Sequence, residues 1–302
     1  MESMTRRQML MATAAAPAWL ASRPASAQTT PLRNMGISPT AVSLRNGAAR
    51  KANKPFDLVD HAHSLGLGGV ETRLASTDAQ AVRSFRQKLD SYNMRAVLNL
   101  PLPKTSGDVA AFDSAVQAAK EAGAMALHAA MTGRRYEQFP TLESFRSDFE
   151  QCQKTIALSE PVLRKHKMKI AIENHKGWRS AEQAAWMKRV SSEWVGVTFD
   201  FGNNVSLCEE PMESLRALAP WTIFSHIKEM AVQEYEEGFL LSEVPFGEGF
   251  YDTGEIVSIL QKKDPDMLFC LEMITRDPLK IPVYTEAYWK TFEAAESPLP
   301  GR

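Results

Sequence analysis

Short runs of β-branched and apolar residues recur along the chain, each followed by a longer stretch whose apolar positions return at helical spacing. The runs fall at 35–42, 69–74, 95–100, 124–129, 169–173, 196–201, 223–227 and 267–273. Helical stretches follow at 56–65, 78–92, 108–122, 142–166, 181–190, 212–219, 254–262 and 283–295. Asp78, Asp108 and Thr141 stand where N-caps would open three of these helices, and Gly123 follows Ala122 where a helix gives way to a strand. Run onsets lie roughly 25–45 residues apart, the length of one βα unit. Eight such units predict a single (β/α)8 TIM barrel. A doubly wound open sheet would need fewer strands and a glycine-rich first turn. No GxGxxG follows a run, and Gly66-Leu67-Gly68-Gly69 precedes one, which reads as a helix-to-strand turn.

The first 27 residues break the pattern. Thr5-Arg6-Arg7-Gln8-Met9-Leu10 forms a twin-arginine n-region, an alanine-rich apolar stretch runs to Leu20, and Ala25-Ser26-Ala27 offers a cleavage site. The expectation is a twin-arginine export signal over 1–27, removed to leave a barrel over 28–302 in the periplasm or otherwise outside the bacterial cytoplasm. Export would then argue against phosphorylated metabolites as substrates, since those are kept in the cytosol. With 302 residues, 35 basic and 36 acidic side chains and a net charge of −1, the chain lacks the basic footprint of a nucleic-acid partner. No apolar run beyond the leader is long enough to span a membrane. Cys152, Cys208 and Cys270 are scattered singly, which argues against a disulfide framework or thiolate zinc site. Cys270 sits in an apolar run and is expected to be inert.

In such barrels chemistry gathers at the C-terminal ends of the strands. The second run ends in Glu71 and Arg73, the fourth at His128, and the last four at Glu173, Asp200, His226 and Glu272. Three carboxylates and one imidazole form an oxygen-rich donor set suited to Mn²⁺, Mg²⁺ or Co²⁺. The competing reading is a set of strand-end salt bridges to lysine and arginine.

These residues resemble the xylose-isomerase-like superfamily, in particular the sugar isomerase/epimerase branch that includes ketose 3-epimerases. The resemblance rests on Ile172-Glu173-Asn174, Phe199-Asp200-Phe201-Gly202-Asn203, Ser225-His226-Ile227-Lys228 and Glu272, with Pro245-Phe246-Gly247-Glu248-Gly249 and Asp252 similar to the turn before the last helix. It implies that Glu173, Asp200, His226 and Glu272 bind one divalent metal, Mn²⁺ first, and that Glu173 and Glu272 act as the acid/base pair. A metal gripping a carbonyl and its neighbouring hydroxyl stabilises the enediolate, so two carboxylates can remove and return a proton beside the ketone. Two departures stand out. Asn203 occupies a position usually histidine, and no arginine lies between 230 and 239, which leaves Lys228 as the nearest cation.

Glu71, His128, His175, Asn203 and Lys228 are the candidate substrate contacts, with Lys176 beside them. Glu71 could equally pair with Arg73, and His128 could be a satisfied rim histidine. Trp178 could stack on a sugar face or pack against the barrel; Arg134 and Arg135 could meet an anionic sugar or pair on the loop. His61 and His63, two apart on a helix, cannot share one face. Glu234, Glu236 and Glu237 read as an exposed acidic stretch. The leading function is metal-dependent isomerisation or epimerisation of a non-phosphorylated keto sugar, a small-molecule partner. The alternatives are β-elimination from a 3-keto-glycoside through the same enolate, an AP-endonuclease-like phosphodiesterase, and a non-catalytic sugar-binding barrel. Relatives of this kind are often dimers or tetramers, so a homo-oligomer is expected.

Overall fold

In the computed structural model residues 32–293 are described; the leader expected over 1–27 lies outside them. Eight parallel strands close into a barrel. In chain order they are β1 (Leu32–Ile37), β2 (Leu67–Thr72), β3 (Arg95–Asn99), β4 (Ala124–Ala129), β5 (Ile170–Glu173), β6 (Val195–Asp200), β7 (Thr222–Ile227) and, after an inserted hairpin, β10 (Phe269–Leu271). Strand β1 pairs with β2 on one side and β10 on the other, which closes the ring. Helices Leu58–Ser64, Ala79–Tyr92, Val109–Glu121, Leu142–His166, Ser180–Val190, Pro211–Leu218 and Thr253–Lys263 alternate with the strands. Asp78 caps its helix by accepting from the Gln80 and Ala81 amides, and Thr141 caps the next long one through Ser144. A single (β/α)8 barrel is therefore the fold.

Strand side chains alternate between two faces. Ala96, Leu98, Ile170, Ile172, Phe199 and Leu127 join the large buried layer shared with the helices. Val97, Ala171, Phe224, Leu268 and Cys270 have the opposite parity and form a small cluster of their own, enclosed by the barrel. Cys270 is fully buried there, as its apolar setting predicts.

Several boundaries differ from the periodic reading. The first run does not continue to 42: β1 stops at Ile37, and Pro39, which lacks an N–H, opens a 3-10 turn at Thr40–Val42. Helix Ser43–Lys51 follows and buries no residue, so it carries no apolar stripe to betray it. The last helix shrinks to Glu286–Trp289, because Tyr288, Trp289 and Phe292 turn into a separate core with Leu241, Leu279 and Ile281. That core lies under a three-stranded sheet absent from the sequence reading: β8 (Glu229–Tyr235) and β9 (Gly238–Val244) form an antiparallel hairpin, joined by β11 (Leu279–Ile281). Glu234, Glu236 and Glu237 are exposed on this hairpin and its turn, as expected.

The glycine cluster is the other revision. Only Gly66 is a turn residue, at φ 73°. Gly68 and Gly69 lie inside β2, and a Cβ on Gly68 would come within 2.4 Å of the Arg33 carbonyl oxygen. The register between β1 and β2 shifts in this stretch, between Leu32 and Gly36. Gly68→Ala must displace backbone, and a loss of about 1–3 kcal/mol in urea unfolding is expected. Gly47→Ala is the contrast: nothing lies within 4 Å of its Cβ position in the helix, so a gain of about 0.5–1 kcal/mol is expected. Equal midpoints for the two variants would refute the packing argument at β1–β2.

Candidate metal centre at the barrel mouth

The same alternation that fills the barrel also aims the site. Glu173 follows Ala171 by two residues, His226 follows Phe224, and Glu272 follows Cys270, so each continues the interior face one step past its apolar neighbour. Asp200 stands two past the buried Thr198, His128 two past Ala126 and Glu71 two past Gly69. One ligand atom from each of Glu173, Asp200, His226 and Glu272 lies within 4.8 Å of the others. A second such group, Glu71, His128 and His226, shares the imidazole.

His226 is oriented by Glu71. Its Nε2 bonds a Glu71 carboxylate oxygen, which can only accept, so Nε2 carries the proton. Nδ1 then faces Asp200 Oδ2 at 3.8 Å and Glu272 Oε2 at 3.5 Å. Both Nδ1 of His226 and Oδ2 of Asp200 are buried without a hydrogen-bond partner. An imidazole nitrogen without a hydrogen bond among converging carboxylates is the arrangement a divalent cation satisfies, and a carboxylate behind the imidazole is its usual support. The residues fit the ion.

The salt-bridge reading is present in part. Lys228 is buried, and its Nζ lies 2.7 Å from Asp200 Oδ2, off the hydrogen-bonding axis, and 3.0 Å from Glu272 Oε2. One ammonium does not neutralise the mouth. Burial pushes Asp200 up to about 7, with Glu272 and Glu173 adding to it against the pull of Lys228. Burial is the largest single influence on His128 and His226 and opposes their charges, yet Glu71 and Glu173 together raise His128 to about 9, and Glu71 and Glu272 together raise His226 well above its usual value. Glu71 and Glu272 are held well below the carboxylate range despite burial, by His128 and His226 for the first and by Lys228 and His226 for the second. Glu173 drops to about 2, where burial is overcome first by the His128 hydrogen bond.

Around the ligands the remaining candidates take distinct places. Asn203 opens a 3-10 turn after β6 and donates Nδ2 to Glu173 Oε1 at 2.7 Å, while its Oδ1 accepts from Lys176. Burial, followed by the neighbouring Lys228, lowers Lys176 to about 8. His128 Nε2 is 3.2 Å from Glu173 Oε2. His175 donates Nδ1 to the Thr132 carbonyl at 2.9 Å, and burial lowers its pKa. Glu71 is engaged by His226, His128 and Asn99 rather than by Arg73. Its carboxylate therefore braces the ring of a ligand, although it also lines the cavity. Trp178 is fully buried against Phe149 and Trp186, so the stacking role expected of it is ruled out by packing. Arg135 is likewise structural: it is buried, paired with Glu182 and the Thr291 carbonyl, and covered by the Phe145 and Phe292 rings. Arg134 pairs with Glu137 on the same loop. His61 and His63 lie on an outer helix, the latter stacked on Tyr92.

Two contributors escaped the sequence reading. Asn99 bridges Glu71, at 2.8 Å, and His128 Nδ1, at 2.7 Å. It ends β3 two residues past the interior Val97, and that parity was its signal. Thr40, whose Oγ1 lies 3.3 Å from Glu272 Oε1, had none, because it comes from the turn that replaces the end of the first run. Asn174 is a brace between strands, with its amide oxygen on the Asp200 amide at 2.6 Å and its Nδ2 on the Asp200 carbonyl at 2.9 Å. The glycine turn expected before the last helix is hung on Glu229, which accepts from the Gly247 and Gly249 amides, and Asp252 caps that helix. The ligand cluster opens into a cavity of about 820 Å³ lined by Glu71, His128, Glu173, Lys176, Lys228 and Glu272 among others.

Comparison with known proteins agrees with this architecture. An uncharacterised protein, YihM of Escherichia coli (strain K12), is 25% identical over 186 residues, which is 59% of this chain and 53% of YihM. The chain thus matches about half the length of this curated relative. Among solved structures, a D-psicose 3-epimerase determined in the presence of D-fructose superposes with a TM-score of 0.59 at 13% identity, over 84% of this chain and 90% of that one. A xylose isomerase-like TIM barrel protein from Mycobacterium smegmatis, in complex with magnesium, gives 0.54 at 16% identity over 74% and 83%. At such identities these two likenesses speak to the fold alone. The profile of one family, described as xylose isomerase-like TIM barrel, matches residues 59–291. The chain belongs to the xylose isomerase-like TIM barrel family.

Proposed function

We propose that this protein is a divalent-metal-dependent isomerase or epimerase of a non-phosphorylated keto sugar, with Mn²⁺ as its ion and Glu173 and Glu272 as its acid/base pair. The observation that carries this reading is the convergence of Glu173, Asp200, His226 and Glu272, one ligand atom of each within 4.8 Å of the others, with His226 Nδ1 buried and without a hydrogen bond. The family fold, with a D-psicose 3-epimerase among its structural neighbours, supports this choice of reaction class. The twin-arginine pattern read over 1–27 supports a periplasmic address and, through it, a substrate without phosphate.

Glu173, Asp200, His226 and Glu272 would hold the ion, which when bound polarises a carbonyl and stabilises negative charge on its oxygen. The remaining work falls to the chain's own groups. One glutamate takes the proton from the carbon beside the carbonyl, and the other returns a proton to that carbon with inversion. Asn203 and His128 fix the two oxygens of Glu173, so its base lone pair is aimed rather than free to rotate. Thr40 and Lys228 do the same for Glu272. Lys176 and Lys228 line the cavity as donors for sugar oxygens.

Incubation of the full chain and Mn²⁺ with keto sugars in deuterated water is expected to exchange the proton beside the carbonyl. Glu173→Gln and Glu272→Gln should each lower exchange by about 10²–10⁴-fold without moving the melting temperature by more than a few degrees. Exchange at the parent rate in both variants would refute the acid/base assignment. Release of an aglycone from a 3-keto-glycoside, without return of the proton, would replace epimerisation by β-elimination.

Metal affinity tests the site without any substrate. Saturating Mn²⁺ is expected to raise the melting temperature and a chelator to reverse it, because binding to the folded state alone adds stability. Glu71→Gln removes the carboxylate behind His226 and should weaken Mn²⁺ by about 10–100-fold in calorimetry. Unchanged affinity would show that His226 needs no such support, and the orientation argument would fall.

A further inference from the structure

Of the lysines and arginines that line the catalytic cavity, all but one are held by the protein. Lys228 meets Asp200 and Glu272, Lys176 donates to Asn203, Arg134 pairs with Glu137, and Arg276 pairs with Glu243. Arg73 is the exception: among the described residues its guanidinium has no hydrogen bond and no ion pair. It stands two residues past Glu71, the last interior residue of β2, so the same alternation sets it over the mouth. Two strand residues put it ~7 Å farther along the chain than the carboxylate that braces His226. Arg73 also lines a second cavity, of about 460 Å³, which adjoins the first across Asn99 and His128. Lys104 lines that second cavity too, and among the described residues it makes no salt bridge. Asp148 is the one carboxylate in this lining, and it already accepts from Thr132 at 3.0 Å. Positive charge is therefore left over on the side of the mouth away from the ligand cluster.

We propose that Arg73 anchors a carboxylate carried by the substrate, so that the sugar acted on is a keto sugar acid rather than a neutral ketose. This rests on the sugar reading above and adds to it a residue that sets specificity. A guanidinium fork matches both oxygens of a carboxylate in one plane, and such charge-assisted bonds are about twice as strong as neutral ones. Because Arg73 has no partner to give up, binding an anion there breaks no contact within the protein. The mouth also requires a cation in this role. Glu71, Glu173 and Glu272 face the same cavity and repel an anionic substrate. Arg73 offsets that repulsion from the rim, where it holds the acid end of the chain away from the ligands and leaves the carbonyl end to Glu173 and Glu272. The loop arginines Arg134 and Arg135 cannot serve, since Glu137 and Glu182 already hold them.

The test compares 5-keto-D-gluconate with L-sorbose, the same ketose with a hydroxymethyl in place of the terminal carboxylate, by calorimetry on the full chain with Mn²⁺. The keto acid is expected to bind about 10–100-fold more tightly. Arg73→Gln should bring that ratio close to one. Arg73→Lys, which keeps the charge and loses the fork, should leave an intermediate ratio. Arg73 is exposed and bonds no protein group, so both variants are expected to melt with the parent, which melting temperatures check. Equal affinities in the parent protein overturn the anchor and leave the sugar reading in place. A preference that persists in Arg73→Gln does the same, because the carboxylate is then held elsewhere. D-fructose 6-phosphate is the third ligand: binding tighter than that of the keto acid would make the recognised anion a phosphate and overturn the sugar acid. Failure of all three to bind overturns the anchor and the sugar reading together.

Discussion

Like charges crowded into a buried space dominate this molecule. Glu71, Glu173 and Asp200 are almost fully buried and Glu272 nearly so, at one end of a barrel that keeps most water away. Carboxylates so placed repel one another unless cations are supplied, and the protein supplies them unevenly. Lys228 reaches Asp200 and Glu272, while His128 and His226 serve Glu71 and Glu173. What remains uncompensated is concentrated at Asp200, whose pKa rises toward neutrality under burial. The strain of crowded carboxylates falls where an imidazole nitrogen also lacks a hydrogen bond, and the proposed divalent ion would relieve both.

The supporting groups follow from this constraint. Glu71 does not wait for substrate; it fixes the tautomer of His226 and is itself fixed by Asn99. Asn203 is polarised by Lys176 so that its amide nitrogen, rather than its oxygen, meets Glu173. The position that departs from the family pattern thus remains a donor to the same carboxylate. Lys228 likewise is buried among the candidate ligands, with its ammonium on Asp200 and Glu272. The hairpin Glu229–Val244 begins one residue later and is tied back through Glu229 and through Tyr251, which donates to the Lys228 carbonyl at 2.6 Å. A short insertion after β7 thereby stiffens the segment that carries the lysine.

Much of this was legible in the sequence for one reason: a strand has a period of two. Once eight apolar runs are recognised, the polar residue two positions past an inward-facing one must point into the mouth, and Glu173, Asp200, His226 and Glu272 obey that rule. Asn99, two residues past the interior Val97, obeys it as well. The barrel, its strand order and the long helix Leu142–His166 are written in local periodicity and caps, which depend on neighbours in the chain.

Tertiary structure decided the rest, because those properties are set by residues far apart in sequence. No local pattern distinguishes a tryptophan that could meet a sugar from Trp178, which is sealed by Phe149 and Trp186. Glu71 as a brace for His226 depends on a contact 155 residues away, and the same holds for Thr40 beside Glu272, 232 residues apart. Gly68 lies in a strand rather than a turn because the Arg33 backbone crosses it closely. The second cavity exists only where a loop, a strand end and a helix face meet. Sequence alone determined the kind of barrel and the donors at its mouth, since strand periodicity is local. Which donors brace, which lie bare and what room adjoins them was left to packing, which joins distant segments and is not local.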